Sequence, residues 1–405
     1  MTFWFMGITL QQARIVDNLL RPWALAHHTR VSVTPVSASD FTTQVDTAIA
    51  SGSLPNVMVT SQGYPDIYAF DHLGVDISRY NPKFAAYIKK EEPPLLAAGN
   101  TVFHGQVWGA LESASPEVAY VNTRVFRQLH LQPPTRWWQL DHETLPVLLK
   151  HKLHYAGPGN SEWFWYAVLF SYGGRVYSPD GNKVIMASPA GQAAVKAYLA
   201  PYIQDKISTS TGSAQTMADL FAKGSYPYIL NGSQFLSNIA AVPNFPTKDW
   251  TVAPYPGGPK GDYTWTGGTA VAAFNHGTLI NREEVGLMQF FWKANVQRAL
   301  TERFARQTQT LYTTANMAAW QGLRVKGLTP HDLTVMRKMV ADSVGVQSHT
   351  RVTKAQVLGM GNTWQAIQNE FTRMTTAKHA TLAATTLLLK QAAAILQRGL
   401  RQAGG

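Results

Sequence analysis

The chain has no cysteine among its 405 residues, which excludes disulfides, thiolate zinc sites and cysteine nucleophiles. It also has no run of 18 or more apolar residues, which excludes a transmembrane helix. Charged residues are scarce at 15%, against a usual value of about 25%. Hydrophobic residues nevertheless make up 45%, so these absences indicate a globular chain with a polar but weakly ionised surface.

The net charge of +11 comes from 35 Lys and Arg against 24 Asp and Glu, and it reflects few carboxylates more than many bases. No block of five or more basic residues occurs, which argues against a nucleic acid partner because phosphate binding needs clustered base. A surface with few carboxylates would suit an acidic medium, since fewer of them are lost to protonation. The length allows two domains, because single cores stop growing at about 250–300 residues.

Strands and helices alternate in the first 61 residues. Residues 2–6, 30–36 and 57–59 are predicted strands, and Phe41 begins a helix that ends at Gly52 because its apolar residues share one helical face. Such alternation predicts a parallel sheet with right-handed crossovers.

In sheets of this kind, ligands bind beyond the carboxyl ends of the strands. That rule makes Met6, Gly7, Ser61 and Gln62 candidate ligand contacts on one rim. Asp40, which precedes the second helix, is a further candidate, although its alternative role is a helix cap.

Three segments predict where helices and strands are continuous or interrupted. A helix over 11–27 contains Pro22, and an interior proline predicts a break there. Residues 107–111 and 118–121 are predicted as separate strands, and the apolar spacing of 285–299 predicts one long helix.

Several short motifs follow one another in a set order. They are Ala50-Ser51-Gly52-Ser53-Leu54-Pro55-Asn56-Val57, Tyr120-Val121-Asn122-Thr123, Pro133-Pro134-Thr135, Asn231-Gly232 and Trp265-Thr266-Gly267-Gly268. This order resembles the extracellular solute-binding proteins of ABC importers, in particular the maltose-binding-protein-like family 1. The resemblance extends from Thr2 to about Leu396. Asn56 departs from the pattern, because the family usually has Asp there.

The resemblance implies an α/β, two-lobe periplasmic-binding-protein-like fold of type II, with a ligand cleft between lobes joined by hinge strands. The N-terminal lobe would comprise 1–112 and 267–314. The C-terminal lobe would comprise 113–266 and 315–405, including the closing helices. Glu112 would lie near one crossing between the lobes, and Gly267 near another.

Aromatic side chains are candidates for stacking on the apolar C–H faces of a sugar. Trp163 and Trp165 follow Ser161, a predicted helix cap, and Trp265 precedes two glycines. Trp364 lies in a late helix that the family places near the cleft. For each tryptophan the alternative is core packing.

The remaining candidates are polar or backbone contacts. Glu112 could accept two sugar hydroxyls as an ionised carboxylate, or could be a structural residue of the hinge. Gly267 and Gly268 would let backbone approach a ligand. Gln234 or Phe235 occupies the position where sugar binders of this family often carry a Trp after an Asn-Gly turn.

These features predict a non-catalytic receptor that captures a carbohydrate, such as a maltodextrin, by hinge closure and delivers it to a membrane permease. We expect no cofactor, no metal and no nucleic acid partner, and we expect a monomer. The expected location is extracellular or periplasmic, with an N-terminal lipid anchor on a segment absent from this sequence. Alternatives are the same fold binding a phosphorylated polyol or an acidic sugar, and a glycoside hydrolase using Glu112 and Glu117.

Overall fold

The computed structural model describes residues 1–157, 162–203, 213–376 and 381–404. The strands are β1 Thr2–Met6, β2 Ser32–Val36, β3 Val57–Ser61, β4 Val102–Phe103, β5 Gln106–Val107, β6 Ala110–Asn122, β7 Tyr155–Ala156, β8 Tyr228–Gly232, β9 Trp250–Pro254, β10 Thr264–Ala273 and β11 Ser343–Val344.

The helices of the first 203 residues are α1 Leu10–Ala26, α2 Phe41–Ser51, α3 Tyr64–Phe70, α4 Ile77–Tyr80, α5 Pro82–Glu91, α6 Pro94–Ala97, α7 Thr123–Gln128, α8 Trp137–Gln139, α9 Leu145–Lys150, α10 Glu162–Ser171 and α11 Pro189–Ile203. Those that follow are α12 Ala214–Lys223, α13 Leu236–Ala240, α14 Thr278–Phe291, α15 Ala294–Thr308, α16 Pro330–Ala341, α17 Lys354–Thr376 and α18 Leu382–Gly404. One π-helical turn, Leu140–Thr144, joins α8 to α9.

The chain divides into two compact units. Unit 1 is Met1–Ser115 with Gly267–Lys326, and unit 2 is Pro116–Thr266 with Gly327–Gly405. The chain therefore passes between the units within β6, within β10, and after Lys326.

In unit 1 the strands lie in the order β2–β1–β3–β10. β1 pairs with β2 and β3 in parallel, as the alternating pattern predicts, and β10 runs antiparallel to β3. Phe3 and Phe5 of β1 are fully buried and pack against Phe291 of α14, with ring centroids 5.1 and 6.2 Å apart. This packing holds β1, and through its pairing β3, in place, so that the carboxyl ends of both strands have defined positions in the sheet.

The predicted break in α1 is wrong, since one helix runs through Pro22. Proline leaves the carbonyl of Asn18 without its helical donor, but Asn18 is exposed, so water can replace the lost hydrogen bond. The buried residues Leu19 and Trp23 hold the helix against the core on either side.

The two strands predicted over 107–121 are instead one 13-residue strand, β6, which continues through Pro116. The single long helix predicted over 285–299 is two helices, which meet at Trp292. Side chains replace the helical partners of the carbonyls at this break. Gln297 donates to the Phe291 carbonyl at 3.0 Å, and Asn316 donates to the Trp292 carbonyl at 2.8 Å.

In unit 2 the sheet order is β9–β6–β8–β7. α10 is apolar on all sides, and Trp165 through Phe170 are fully buried, as expected of a helix that lies in the interior of a core. α17 and α18 form a hairpin that crosses closely at Gly359 and Gly399. Leu389, Leu396 and Leu400 of α18 are buried.

Candidate ligand-binding site

The carboxyl ends of β1 and β3 lie in the sheet of unit 1. Gly7 follows β1 with a positive φ of 74° and donates its N–H to the Val36 carbonyl at 2.7 Å. Met6, just before it, is half-buried. Ser61, at the end of β3, pairs with Thr269 of β10. Ser61, one of the strand-end residues proposed from the sequence, therefore lies beside the middle of β10.

Gly268 permits a close approach of three segments. The N–H of Gln62 donates to the Gly268 carbonyl at 3.2 Å. A Cβ placed on Gly268 would stand 2.1 Å from the Ser113 carbonyl oxygen and 3.1 Å from Gln62 Oε1. Only glycine fits such a gap, so Gly268 brings the ends of β3 and of the first half of β6 together.

Glu112 is the buried centre of this region. Its Oε2 accepts a hydrogen bond from Thr269 Oγ1 at 2.8 Å and another from the Tyr312 hydroxyl. Thr269 Oγ1 also lies 2.8 Å from Ser113 Oγ and 2.9 Å from the Tyr312 oxygen. Glu112 Oε1 has no hydrogen-bond partner within the described ranges. We call Glu112, Ser113, Thr269 and Tyr312 the Glu112 cluster.

Burial raises the pKa of Glu112 to about 8, although the hydrogen bonds from Tyr312 and Thr269 lower it in part. Burial also raises the pKa of Tyr312 well above its usual range, as does the neighbouring Glu112. The carboxyl is therefore mostly protonated at neutral pH. The sequence argument for Glu112 assumed an ionised acceptor, but a neutral acid can also donate one hydrogen bond.

Asp40 occupies the N-cap position of α2 without a capping hydrogen bond from its side chain. It is exposed, and Ser39 Oγ donates to its Oδ1 at 3.3 Å. The carboxylate is thus accessible at the start of the helix.

In unit 2, two of the tryptophans proposed from the sequence belong to a buried aromatic group. Trp165 lies 5.7 Å from Tyr166 and 5.2 Å from Phe371, and Tyr166 lies 4.8 Å from Trp265, measured between ring centroids. Trp165 is fully buried and Trp265 is 4% exposed. The structure shows both rings packed in the interior of unit 2, and their contact with a ligand stays a prediction.

The turn after β8 separates the next two candidates. Gln234 is exposed, whereas Phe235 is 2% exposed and packs edge-on against Tyr120 at 5.2 Å. The Tyr120 hydroxyl donates to the Gly232 and Ser233 carbonyls at 3.2 and 3.0 Å. The turn is thereby anchored to the sheet.

Three further candidates lie on α10, on α17 and in β10. The side chain of Trp163, on α10, lies outside the described residues, as does Ser161. Trp364 is half-buried on α17, and Gly267 is half-buried within β10.

Sequence reasoning missed Ser113, Thr269 and Tyr312. The strand-end rule identifies residues that follow a strand, but Thr269 lies inside β10 and Tyr312 lies in a loop after α15. About 200 residues separate Tyr312 from Glu112, so no local spacing connects them. In the part of the chain that the structure describes, no three His, Asp or Glu side chains are grouped as a metal site, and no helix is long and apolar enough to cross a membrane.

Solved structures share this architecture over nearly their whole length. The sugar-binding protein MalE from Xanthomonas citri is similar with a TM-score of 0.80 and 16% identity, covering 98% of this chain and 97% of that one. The cyclic alpha-maltosyl-1,6-maltose binding protein from Arthrobacter globiformis has a TM-score of 0.77 and 19% identity, covering 98% of each chain. Maltose-bound MalE3 of T. maritima has a TM-score of 0.72 and 15% identity, with 99% coverage of each chain.

This similarity confirms the predicted α/β, two-lobe periplasmic-binding-protein-like fold class. The model of the bacterial extracellular solute-binding protein family matches residues 20–326. The chain therefore belongs to the bacterial extracellular solute-binding proteins, as its motif order predicts. No curated protein sequence is significantly similar to it.

Proposed function

We propose that this solute-binding protein captures a carbohydrate, such as a maltodextrin, and delivers it to the permease of an ABC importer. The observation that carries the proposal is the Glu112 cluster, in which three hydroxyl groups surround a buried carboxyl group beside the strand ends of unit 1. Sugar hydroxyls both donate and accept hydrogen bonds, so they complement a site built from hydroxyls and a neutral acid.

The names of the similar structures support the same class of ligand. They include a sugar-binding MalE, a binder of cyclic maltosyl-maltose and a maltose complex. Closure about the segments that connect the two units is the proposed mechanism, and the ligand would shift the population toward the closed state.

Several narrower proposals accompany this one. The protein would act as a monomer without catalysis, outside the cytoplasm and held to the membrane by an N-terminal lipid. The lobes would divide close to residues 112/113, 266/267 and 314/315, and the first and last of these differ by 3 and 12 residues from the unit boundaries given above. The ligand contacts would be those proposed from the sequence, with Ser113, Thr269 and Tyr312 added.

The first experiment is a thermal-shift screen of the purified protein against mono-, di- and longer oligosaccharides. A ligand at 100 times its dissociation constant stabilises the native state by about 2.7 kcal/mol, which is a clear rise in melting temperature. The absence of any shift across neutral sugars would contradict the proposal. Release of shortened products from any bound oligosaccharide would instead indicate a glycoside hydrolase.

Two Glu112 variants locate the site. Glu112→Gln keeps the shape and the neutral charge of the protonated acid, so it should retain most of the ligand-induced shift. Glu112→Ala removes both oxygens and should abolish that shift. Equal shifts in both variants would place the ligand elsewhere, and circular dichroism would show whether each variant is folded.

An acidic sugar or a phosphorylated polyol is the second candidate ligand. Unit 2 carries 21 Lys and Arg against 12 Asp and Glu, and a neutral Glu112 would not repel an anion. Thermal shifts with glucuronate or glycerol phosphate, but with no neutral sugar, would favour this candidate. A response that disappears at high salt would support it further, because salt screens exposed charges.

A further inference from the structure

A cavity of about 570 Å³ opens on unit 2, and its lining includes none of the residues proposed above as ligand contacts. Its lining includes Arg136, Trp138, Tyr172, Gly257, Gly258 and Asp262. We call it the Trp138 pocket. A volume of this size lies within the range of small-molecule sites, about 300–1,000 Å³.

Trp138 is the aromatic wall of the pocket. It is 59% exposed, whereas the neighbouring Trp137 is 1% exposed and packs against Tyr255 at 5.7 Å. The Trp138 ring stacks on His142 with centroids 5.0 Å apart and planes at 13°. His142 therefore holds the indole in one orientation while more than half of Trp138 remains accessible.

A charged pair forms the polar wall. Arg136 Nη1 pairs with Asp262 Oδ1 and also donates to the Gly258 carbonyl at 3.1 Å. The two side chains remain 47% and 44% exposed, so a ligand in the pocket can reach both. Their opposite charges cancel, which removes the preference for an anion that an isolated arginine would create.

The backbone beneath this pair has a glycine, Gly257, which leaves room for the two charged side chains. A Cβ on Gly257 would stand 2.1 Å from Asp262 Oδ1 and 2.7 Å from Arg136 Nη1. The strand-like hydrogen bonds from Trp137 N–H to the Gly257 carbonyl and from Gly257 N–H to the Thr135 carbonyl, both 2.9 Å, fix that backbone. The charged pair therefore lies directly over a glycine, and a Cβ at this position would displace one or both of its charged ends.

We infer that the Trp138 pocket is an accessory binding site for a neutral sugar residue. An accessible indole fits the apolar C–H face of a pyranose, and an adjacent Arg–Asp pair offers a donor and an acceptor to neighbouring hydroxyls. A protein partner fits less well, because a stable interface needs roughly 1,000 Å² or more and this site is one concave pocket around a single exposed ring.

The pocket is separate from the proposed ligand contacts on α10. Tyr172 follows the last residue of α10, whereas Trp163 is its second residue. A helix of this length spans about 15 Å, so the two lie at opposite ends of it. The accessory site would hold one end of a glycan near the protein and raise its effective concentration at the main site, a role that rests on the proposed function.

The test uses the full protein labelled with 5-fluorotryptophan, whose 12 tryptophans give separate ¹⁹F signals. The Trp138 signal is identified by its loss in Trp138→Phe. We expect glucose, galactose, mannose, N-acetylglucosamine or maltoheptaose to move this signal in a saturable way. Asp262→Asn should weaken that binding about tenfold, because it removes one charge-assisted hydrogen bond.

The matched control is Leu149→Ala, which alters another exposed apolar residue of unit 2, 54% exposed, and should leave the response unchanged. The response should also survive Glu112→Ala, which separates this site from the main one. A Trp138 signal that stays fixed with all five sugars overturns the inference, even where a thermal shift supports the main site. A response lost in Glu112→Ala overturns it too, because the signal would then report the main site.

Discussion

Units 1 and 2 differ in net charge and in aromatic content. Unit 1 is almost balanced in charge, with 14 Lys and Arg against 12 Asp and Glu, whereas unit 2 has 21 against 12. Unit 2 also holds 11 of the 16 tyrosines. Its interior around Trp165 is aromatic, while the strand ends of unit 1 carry hydroxyls and carboxyls. The Glu112 cluster of unit 1 is therefore a polar candidate site, whereas the rings around Trp165 in unit 2 form a buried aromatic interior.

Buried carboxyl groups are common to both units, since burial raises the pKa of Glu117 well above its usual range and that of Glu162 to about 7 in unit 2. Burial raises the pKa of Asp66 to about 7, and that of Glu92 to about 8 despite hydrogen bonds from the Leu111 N–H and the Thr101 hydroxyl. At neutral pH, Glu92 and Glu112 are therefore mostly protonated, in a chain whose carboxylates are already few. Both accept hydrogen bonds, so in unit 1 they provide polar contacts without the cost of burying a charge.

The largest effect should come from the aromatic interior of unit 2. Trp165→Ala removes a fully buried ring and should lower the free energy of unfolding by about 3–5 kcal/mol. Trp138→Ala removes an exposed ring and should change it by less than about 0.5 kcal/mol. Urea denaturation of both variants measures the contrast, and similar losses would mean that unit 2 does not depend on this interior.

A somewhat smaller loss is expected at the strand ends of unit 1. Gly268→Ala places a methyl group against the Ser113 carbonyl and should lower the free energy of unfolding by about 2–3 kcal/mol. Gly286→Ala, within α14, meets only Trp23 at 3.9 Å and should be neutral or stabilising by about 0.5–1 kcal/mol. Urea midpoints compare the two, and equal effects would show that the close approach is not required.

Tyr312→Phe should cost about 1–3 kcal/mol, because it removes a hydrogen-bond donor from the buried carboxyl of Glu112. Tyr64→Phe is the matched control, since among the described residues its hydroxyl has only a 3.5 Å contact with the exposed Thr42, and it should cost less than about 0.5 kcal/mol. Melting temperatures in the absence of ligand would measure both changes. A neutral Tyr312→Phe would remove the energetic argument for the Glu112 cluster.

A further change should be in the pH dependence of stability. Glu112 has a pKa of about 8 in the folded chain, against 4.5 for an ordinary glutamate. The folded state therefore binds this proton more tightly, so its contribution is complete below about pH 4.5 and is lost as the pH rises through 8. Glu112→Gln should flatten the decline of stability between these values. A decline as steep as in the unchanged protein would assign it to other groups.

Local patterns predicted the elements of unit 1 well, because its strands and helices alternate with strong periodicity and glycine stops. The predictions failed where distant side chains replace local hydrogen bonds, as at Trp292, and where a proline is tolerated, as at Pro22. The same limit applies to the site. Gly7 and Gln62 follow strands and could be proposed, whereas Tyr312 reaches Glu112 only through the folded chain.

The position of β10 in the sequence has a consequence for how the protein is made. β10 completes the sheet of unit 1 beside β3, yet roughly 200 residues separate the end of β3 from the start of β10. At about 5–20 residues per second, a ribosome needs on the order of 10–40 s to synthesise that stretch. During this time the inner edge of β3 lacks its native neighbour. The nascent chain thus remains incompletely folded until late in synthesis.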